Sequence, residues 1–208
     1  MNDALLIQQI YPDTPGVEML KLVEPHNANY CAMFNIDYWC KYENSIAGSD
    51  PLKGSWSKVE LIRQGLDKGY DSVIWLDADT LICDPNTDMR AAIQLEKIGA
   101  CWHRIPQLSH WNVGALYADN CKEVRAFIDA WLAGYPGIND GWLEQGVFNR
   151  LGLQSKTVTT LSDKWNSTLD VNMVPDAVVL GFHGQGDTPQ RIKLMQQTYE
   201  RLFAGAEV

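Results

Sequence analysis

Two aspartates, Asp77 and Asp79, stand directly after the apolar run Ser72–Leu76. An apolar run of this length, flanked by turn residues, is typical of a buried strand. Side chains two residues apart point to the same side of an extended chain, so the two carboxylates are expected to converge at the strand's end. Carboxylate oxygens suit a divalent cation, which often shares its coordination shell with substrate phosphates. The spacing therefore predicts a metal site that serves a phosphate-bearing substrate.

A histidine, His183, follows a second apolar run at residues 177–182. Ligands of open α/β sheets bind beyond the carboxyl ends of the strands, so His183 is a candidate to join the two aspartates there. Two carboxylates and an imidazole favour Mn²⁺ over Mg²⁺, because nitrogen ligands prefer the softer ion. We therefore predict a Mn²⁺ site, with Mg²⁺ as the alternative ion.

Strand and helix patterns alternate along the chain and must position these residues. A capping-box signature, Ser57 with Glu60, predicts that a helix begins at Ser57 after a loop over residues 51–56. Pro25 is expected to divide the helical segment 17–34 into two pieces. Thr188 and Pro189 predict the start of the last helix. The alternation predicts a single α/β domain over residues 1–208, with a mostly parallel sheet and helices on both faces.

Composition limits the classes of partner. The chain has 208 residues and a formal net charge of -9, which disfavours nucleic acid and anionic membranes as partners. An apolar run of the ~20 residues needed to span a bilayer is lacking, so we predict no transmembrane segment. The five cysteines include no CxxC pair, which is typical of reduced thiols, and the N-terminus lacks a basic signal-peptide head. We therefore expect a cytoplasmic protein.

Several blocks in order along the chain resemble the nucleotide-sugar-dependent glycosyltransferases with the GT-A fold. Within that family, the resemblance is to the galactosyltransferase/mannosyltransferase group that includes plant xyloglucan xylosyltransferases and yeast Golgi mannosyltransferases. The blocks are Trp56-Ser57-Lys58, Ile74 to Ile82, Asn112-Val113-Gly114, Glu144-Gln145 and Phe182-His183. Eukaryotic members carry a membrane anchor, so a soluble bacterial or viral version is expected.

The resemblance implies a role for each matching residue. Metal binding falls to Asp77, Asp79 and His183, and Asp77 also reaches the ribose. Catalysis beneath the anomeric carbon falls to Gln145 and Glu144. Donor binding falls to Tyr11 near the base, Lys58 at the phosphate or sugar, Asp77, Ala78 and Asp79 in the turn, Asn112 and Gly114 near the sugar, and Gly186 in the loop after His183. The family's late Lys is missing after His183, and Arg191 and Lys193 are candidates to replace it.

The implied activity is metal-dependent transfer of a sugar from a UDP- or GDP-sugar donor to a glycan or other hydroxyl acceptor, with retention of configuration. One alternative is a non-catalytic domain that binds sugar nucleotides or glycans. Another is a haloacid-dehalogenase-like phosphatase, which needs a threonine where Leu81 stands. Individual residues also have plainer interpretations: Lys58 as a solvated lysine in a first helical turn, Asn112 to Gly114 as a bulge, and Glu144 and Gln145 as helix surface. Trp111 and Trp142 are candidate sugar contacts.

Overall fold

The computed structural model describes residues 3–10, 16–42, 51–105, 109–135 and 142–203. Within those ranges the helices are α1 (Val17–Phe34), α2 (Pro51–Asp67), α3 (Lys122–Leu132), α4 (Leu143–Gly152) and α5 (Thr188–Phe203). The strands are β1 (Ala4–Gln9), β2 (Asp37–Lys41), β3 (Ser72–Leu76), β4 (Thr80–Ile82), β5 (Ile98–His103), β6 (His110–Asp119), β7 (Val158–Leu161), β8 (Ser167–Thr168) and β9 (Val179–Gly181). Short 3₁₀ turns cover Met89–Ala92 and Asp163–Trp165.

Six strands form the central sheet in the order β2-β1-β3-β6-β5-β7. β1 pairs in parallel with β2 and β3, and β5 pairs in parallel with β7. β6 runs antiparallel to both of its neighbours, β3 and β5. The other five strands of this sheet share one direction, so the predicted mostly parallel sheet is confirmed. A second sheet has the order β4-β9-β8.

Helices cover both faces of the central sheet, as predicted. Alternate residues of a strand point to opposite faces, and β1 follows this rule with all six residues buried. Leu5 and Ile7 pack in one core cluster with residues of α2, α3 and α4, whereas Ala4 and Leu6 pack in another that includes Tyr30 of α1. The two clusters hold the sheet between two layers. The extent of a single domain over residues 1–208 stays a prediction.

The predicted start of α2 at Ser57 is wrong, because the helix begins at Pro51 and Ser57 lies inside it. Proline suits the first helical position, where its missing N–H is not needed. The buried face also extends upstream of Ser57, since Trp56 is 3% exposed and its ring meets that of Tyr135 at 5.5 Å. Lys58 therefore lies in the middle of a helix, and the interpretation of it as a solvated first-turn lysine is wrong.

The predicted division of α1 at Pro25 is also wrong. The helix continues through Pro25 from Val17 to Phe34. A proline inside a helix removes one backbone hydrogen bond, but the buried residues Leu20, Val23 and Tyr30 lie on both sides of it. Packing of that face outweighs the local cost. The predicted start of the last helix at Thr188 is confirmed by α5, and none of the helices in the described ranges is long and apolar enough to cross a membrane.

Candidate active site

The two aspartates of the Asp-x-Asp segment lie in a turn at the end of β3, held against β6. The Asp77 N–H donates to the Gly114 carbonyl at 2.7 Å. Thr80 closes the turn, because its backbone N–H and its hydroxyl donate to the Asp77 carbonyl at 3.1 and 2.7 Å. The backbone between β3 and β4 is therefore fixed on the sheet, with Asp77 beside the central strands and Asp79 next to the second sheet.

A buried lysine joins two carboxylates beside this turn. Lys58 Nζ lies 3.0 Å from Asp77 Oδ1 and 3.2 Å from Glu144 Oε1, and donates to the Val113 carbonyl at 3.0 Å. Lys58 is 4% exposed and Glu144 6%. Burial lowers the pKa of Lys58, but the two carboxylates outweigh it and hold that pKa above its usual value. An ammonium has three N–H donors, so these contacts use all of them.

The Asp77 carboxylate is held between opposing influences. The pKa of Asp77 is raised to about 6, because burial and the Asp79 carboxylate raise it by more than the Lys58 ammonium lowers it. Trp75 Nε1 donates to Asp77 Oδ1 at 2.7 Å, the same oxygen that contacts Lys58. Two donors on one oxygen fix the orientation of the side chain and direct its second oxygen, Oδ2, towards Gly114.

Asp79 is paired with an arginine from the far end of the chain. β4 and β9 pair with Thr80 opposite Gly181, and the Phe182 N–H donates to the Asp79 carbonyl at 2.9 Å. Asp79 is 9% exposed, and its Oδ2 accepts a hydrogen bond from Arg191 Nη1 at 2.7 Å. Because α5 begins at Thr188, its first turn brings Arg191 back to the site. Of the two candidates for the missing late Lys, Arg191 is the one that reaches the aspartates.

His183 lies at the end of β9, near the strands that carry Asn112 and His103. Its Nε2 is 3.2 Å from Asn112 Nδ2 and 3.4 Å from His103 Nδ1, and the two histidine rings stack with their centroids 5.0 Å apart. Burial lowers the pKa of His183, although Asp79 raises it. The imidazole is therefore neutral near pH 7, which is the form that binds metals.

Close packing at β6 explains the glycine of the Asn112 to Gly114 block. A Cβ on Gly114 would lie 2.8 Å from Asn112 Oδ1 and 3.3 Å from Asp77 Oδ2, so a side chain does not fit without movement. Asn112 Oδ1 accepts from the Gly114 N–H and from Asn166 Nδ2, both at 2.8 Å. The interpretation of Asn112 to Gly114 as a bulge also has support. On β5, Gly99 pairs with Tyr117 but Cys101 pairs with Asn112, so the register shifts over the part of β6 that contains Gly114.

Glu144 and Gln145 lie in the first turn of α4, directly after a strained residue. Leu143 has φ of 46°, in the left-handed region that non-glycine residues rarely adopt. Gln145 Oε1 accepts from the Val113 N–H at 3.0 Å, and the Glu144 carbonyl accepts from Trp131 Nε1 at 2.7 Å. Gln145 is thus tied to β6 by its carbonyl oxygen. For Glu144 the surface interpretation is wrong, because its carboxylate is buried against Lys58.

Two cavities meet at this cluster. The smaller, about 260 Å³, extends to the end of β1 and the Asp-x-Asp turn; its lining includes Gln9, Ile10, Ala78 and Asp79. The larger, about 1070 Å³, extends along β5 and β6; its lining includes His103, His110, Asn112, Gln145 and His183. Lys58, Asp77, Glu144 and Arg191 line both. These four charged residues mark the point where the two cavities meet.

Two predicted donor-binding residues, Tyr11 and Gly186, are not among the described residues that line the cavities. Tyr11 lies outside the described residues. Gly186 lines neither cavity; its φ of 76° belongs to the turn before α5, and a Cβ there would overlap the Gln190 side chain. Ala78, in contrast, is buried and lines the smaller cavity.

The predicted metal ligands lie at one edge of the fold but do not form a complete site by themselves. Within the described ranges, no three His, Cys, Asp or Glu side chains are grouped closely enough to hold a metal ion. One oxygen of each aspartate is already engaged, by Lys58 and by Arg191. The chemistry of two carboxylates and a neutral imidazole suits Mn²⁺, but a cation there would need further ligands from a bound substrate.

Sequence reasoning missed His103 and Asn166. His103 pairs with His110 across β5 and β6 and lines the larger cavity, which the alternation of those strands could have indicated. Asn166 is fully buried and donates to Asn112, yet it follows a short 3₁₀ turn with no local signal. Only the packing of that turn under β6 reveals it.

Comparison with known proteins supports the fold. A scan of protein-family models finds no match, and neither does a search of curated proteins. Among solved structures, the chain is similar to a glycosyltransferase involved in the glycosylation of the major capsid of PBCV-1, with TM-score 0.76 and 14% identity over 93% of this chain and 98% of that one. It is also similar to the glycosyltransferase GlyE of Streptococcus pneumoniae TIGR4, with TM-score 0.55 and 12% identity over 95% of this chain and 64% of that one. The chain therefore shares its fold with glycosyltransferases.

Proposed function

We propose that this protein is a glycosyltransferase that moves a sugar from a nucleoside-diphosphate sugar to a hydroxyl group of a glycan. The observation that carries the proposal is the meeting of two cavities at Lys58, Asp77, Glu144 and Arg191, beyond the carboxyl end of β3. A transferase needs two substrate sites that share one reacting centre, whereas a hydrolase needs one. The shared fold adds support, and so does the resemblance of the sequence to the galactosyltransferase/mannosyltransferase group.

The smaller cavity is proposed to hold the donor, with Arg191 at its diphosphate. One Arg191 nitrogen contacts Asp79, and Nε has no hydrogen-bond partner within the described part of the chain. A guanidinium binds phosphate oxygens through several N–H groups at once. Lys58 has no N–H left for a phosphate, so we assign it to holding Asp77 and Glu144 in place.

We propose that a divalent cation, Mn²⁺ or Mg²⁺, joins the donor at Asp77, Asp79 and His183. The centre has one more carboxylate than it has cationic side chains, and a diphosphate would add further negative charge. The carboxylates are those of Asp77, Asp79 and Glu144, and the cations are Lys58 and Arg191. Bound there, the ion would supply Lewis-acid stabilisation of the leaving diphosphate. The donor's phosphate oxygens would complete a coordination shell that the side chains only begin.

Glu144 and Gln145 are proposed to act on the sugar itself. The bond from the anomeric carbon to the diphosphate oxygen breaks, the acceptor oxygen bonds to that carbon, and the acceptor's proton passes to the leaving diphosphate. Glu144, the buried carboxylate at the junction, would stabilise the positive charge that develops on the sugar, and Gln145 would do so with its amide. Retention is proposed from the family resemblance, and NMR of the product's anomeric proton tests it directly.

The experiment is a panel of UDP- and GDP-sugars with Mn²⁺, read by melting temperature and by nucleotide release. A donor that binds the native state raises the melting temperature. Asp79→Asn should reduce nucleotide release at least about a hundredfold, and removal of metal by EDTA should do the same. Asp129→Asn is the matched control, because that carboxylate is exposed and pairs only with Arg63 in the described structure. Near-normal turnover in Asp79→Asn would reject the assignment.

The same panel separates the two alternatives. Donor binding without nucleotide release, over the whole panel, would indicate a non-catalytic binding domain. Hydrolysis of p-nitrophenyl phosphate that disappears in Asp77→Asn would indicate a phosphatase. The phosphatase is disfavoured because a buried leucine, Leu81, stands four residues after Asp77.

A further inference from the structure

The larger cavity has a wall chemistry that differs from the rest of the site. His110 and Asn112 are two residues apart on β6, so they share a face of the strand, and His103 pairs with His110 from β5. All three line the cavity, together with Gln145 and Gln185. The wall is therefore made of imidazole and amide groups, which carry both donors and acceptors of hydrogen bonds, as hydroxyl groups of a ligand require.

An aromatic ring stands at the same wall. Trp142 immediately precedes α4 and lines the larger cavity. Its ring meets the His110 ring edge to face, with the centroids 4.6 Å apart and the planes at 74°. This contact sets the tilt of the indole plane relative to β6. The face of an aromatic ring carries partial negative charge and attracts the polarised C–H groups of a sugar ring.

The lining that belongs to the larger cavity alone carries little charge, and that charge is negative. Apart from the four charged residues shared with the smaller cavity, the lining in the described ranges contains a single ionisable carboxylate, Asp170, and no lysine or arginine. Asp170 is exposed at the rim. In the described ranges the cavity's only lysine and arginine are therefore Lys58, which Asp77 and Glu144 already engage, and Arg191, which is assigned to the donor diphosphate. An acidic ligand would compete with the donor for Arg191, whereas an uncharged ligand meets hydrogen-bonding groups and an aromatic face.

From these observations we infer that the larger cavity binds an uncharged glycan as acceptor, with one sugar ring against Trp142 and hydroxyl groups bonded to the His103, His110 and Asn112 wall. This inference rests on the proposed function, since it names the second substrate of the same reaction. The acceptor hydroxyl would enter the shared junction from the β6 side, opposite the donor.

The test uses wild type and Trp142→Ala with a panel of p-nitrophenyl glycosides of neutral sugars and the matching p-nitrophenyl glucuronide. Two rates are measured: release of nucleotide from the donor in water alone, and transfer to each glycoside. We expect Trp142→Ala to raise the acceptor KM at least about tenfold, a larger change than any fall in the rate of nucleotide release in water. Trp142→Phe, which keeps an aromatic face, should fall between the two.

Trp102→Ala is the matched control, because Trp102 packs against Trp111 and lines neither cavity. It should leave the acceptor KM unchanged. Saturation-transfer NMR with the neutral glycosides adds a readout that needs no turnover, since Trp142→Ala should weaken the signal of the sugar-ring protons. Circular dichroism verifies that each variant is folded.

Two results would overturn the inference: an unchanged acceptor KM in Trp142→Ala, or transfer to the glucuronide that exceeds transfer to neutral glycosides. The first of these, with donor hydrolysis intact, leaves the proposed function standing. A wild-type protein that neither binds nor hydrolyses any donor overturns the proposed function, and the acceptor site with it.

Discussion

The two cavities share four charged residues and differ in the rest of their lining. Beyond those four, the smaller cavity is lined by Asp79 and by apolar groups such as Ile10, Met19 and Trp75. The larger is bounded by histidines, amides and Trp142. Burial keeps the pKa of His183 below its usual value and lowers that of His103 to about 3, so these rings stay uncharged near pH 7. We therefore expect the larger cavity to recognise hydroxyl groups through its own lining, while the four charged residues of the junction serve both cavities.

The charged junction and the wall formed by His103, His110 and Asn112 also differ in what holds them in place. Lys58 and Glu144 are buried ions that depend on each other, and buried charges are costly unless paired. The neutral wall is held by the strand register of β5 and β6 instead. Substitutions at the buried ions should therefore change mainly the free energy of unfolding, and substitutions at the wall should change mainly substrate specificity.

The largest effect is expected from Lys58→Met. It leaves the buried Glu144 and the half-buried Asp77 without their cation, and breaking a buried ion pair costs about 3–5 kcal/mol of the free energy of unfolding. Urea unfolding measures this loss. Lys21→Met is the control, because the Lys21–Glu18 pair is exposed and contributes at most about 1 kcal/mol. A loss below about 1 kcal/mol for Lys58→Met would show that the junction is not held by its charges.

Arg191→Met should reduce donor turnover about 10- to 100-fold, because it removes the arginine that faces the proposed diphosphate and exposes Asp79 to it. The donor KM should rise and the acceptor KM should not. Arg191→Lys should recover part of the loss, since it restores the charge without the planar guanidinium. Steady-state kinetics with each substrate varied in turn distinguishes the two sites, and an equal rise of both KM values would contradict the division between them.

Gly114→Ala is expected to destabilise the protein by about 1–3 kcal/mol, a typical cost of overpacking. The added methyl group would press on Asn112 Oδ1 and Asp77 Oδ2, one on each side of the junction. Thermal unfolding measures the loss, and a crystal structure would reveal which residue moves. An unchanged melting temperature would mean that Asn112 and Asp77 can move away from the added methyl group without cost.

The smallest effect is expected from Gln145→Ala, about 1 kcal/mol, because it removes one hydrogen bond to the Val113 N–H. Gln145→Glu retains an acceptor oxygen for that N–H and serves as the conservative variant. If Gln145 acts on the sugar, nucleotide release should fall in Gln145→Ala by more than the stability change explains. Equal activity in the two variants and the wild type would limit Gln145 to a structural role.

Local sequence patterns were sufficient to predict an element where its tertiary packing favours the same bounds. The bounds of β3 and the start of α5 near Thr188 follow from an apolar run and from Thr188 with Pro189, and both are confirmed. The predicted cap is wrong, because Asp187 Oδ1 and not Thr188 accepts from the Gln190 N–H. The same kind of reasoning failed at Ser57 and Pro25, where tertiary packing extends α2 upstream and carries α1 through a proline. Local signals state a preference of about 1–3 kcal/mol, which a buried face can exceed.

The sequence by itself determined that two aspartates stand at the end of a buried strand, because strand periodicity is a local property that ten residues reveal. Only the tertiary structure decided their partners. Glu144 reaches Lys58 across 86 positions, and Arg191 reaches Asp79 across 112. Such pairs form because a buried charge requires an opposite charge within a few ångströms, and the fold alone decides which distant residue is close enough to supply it.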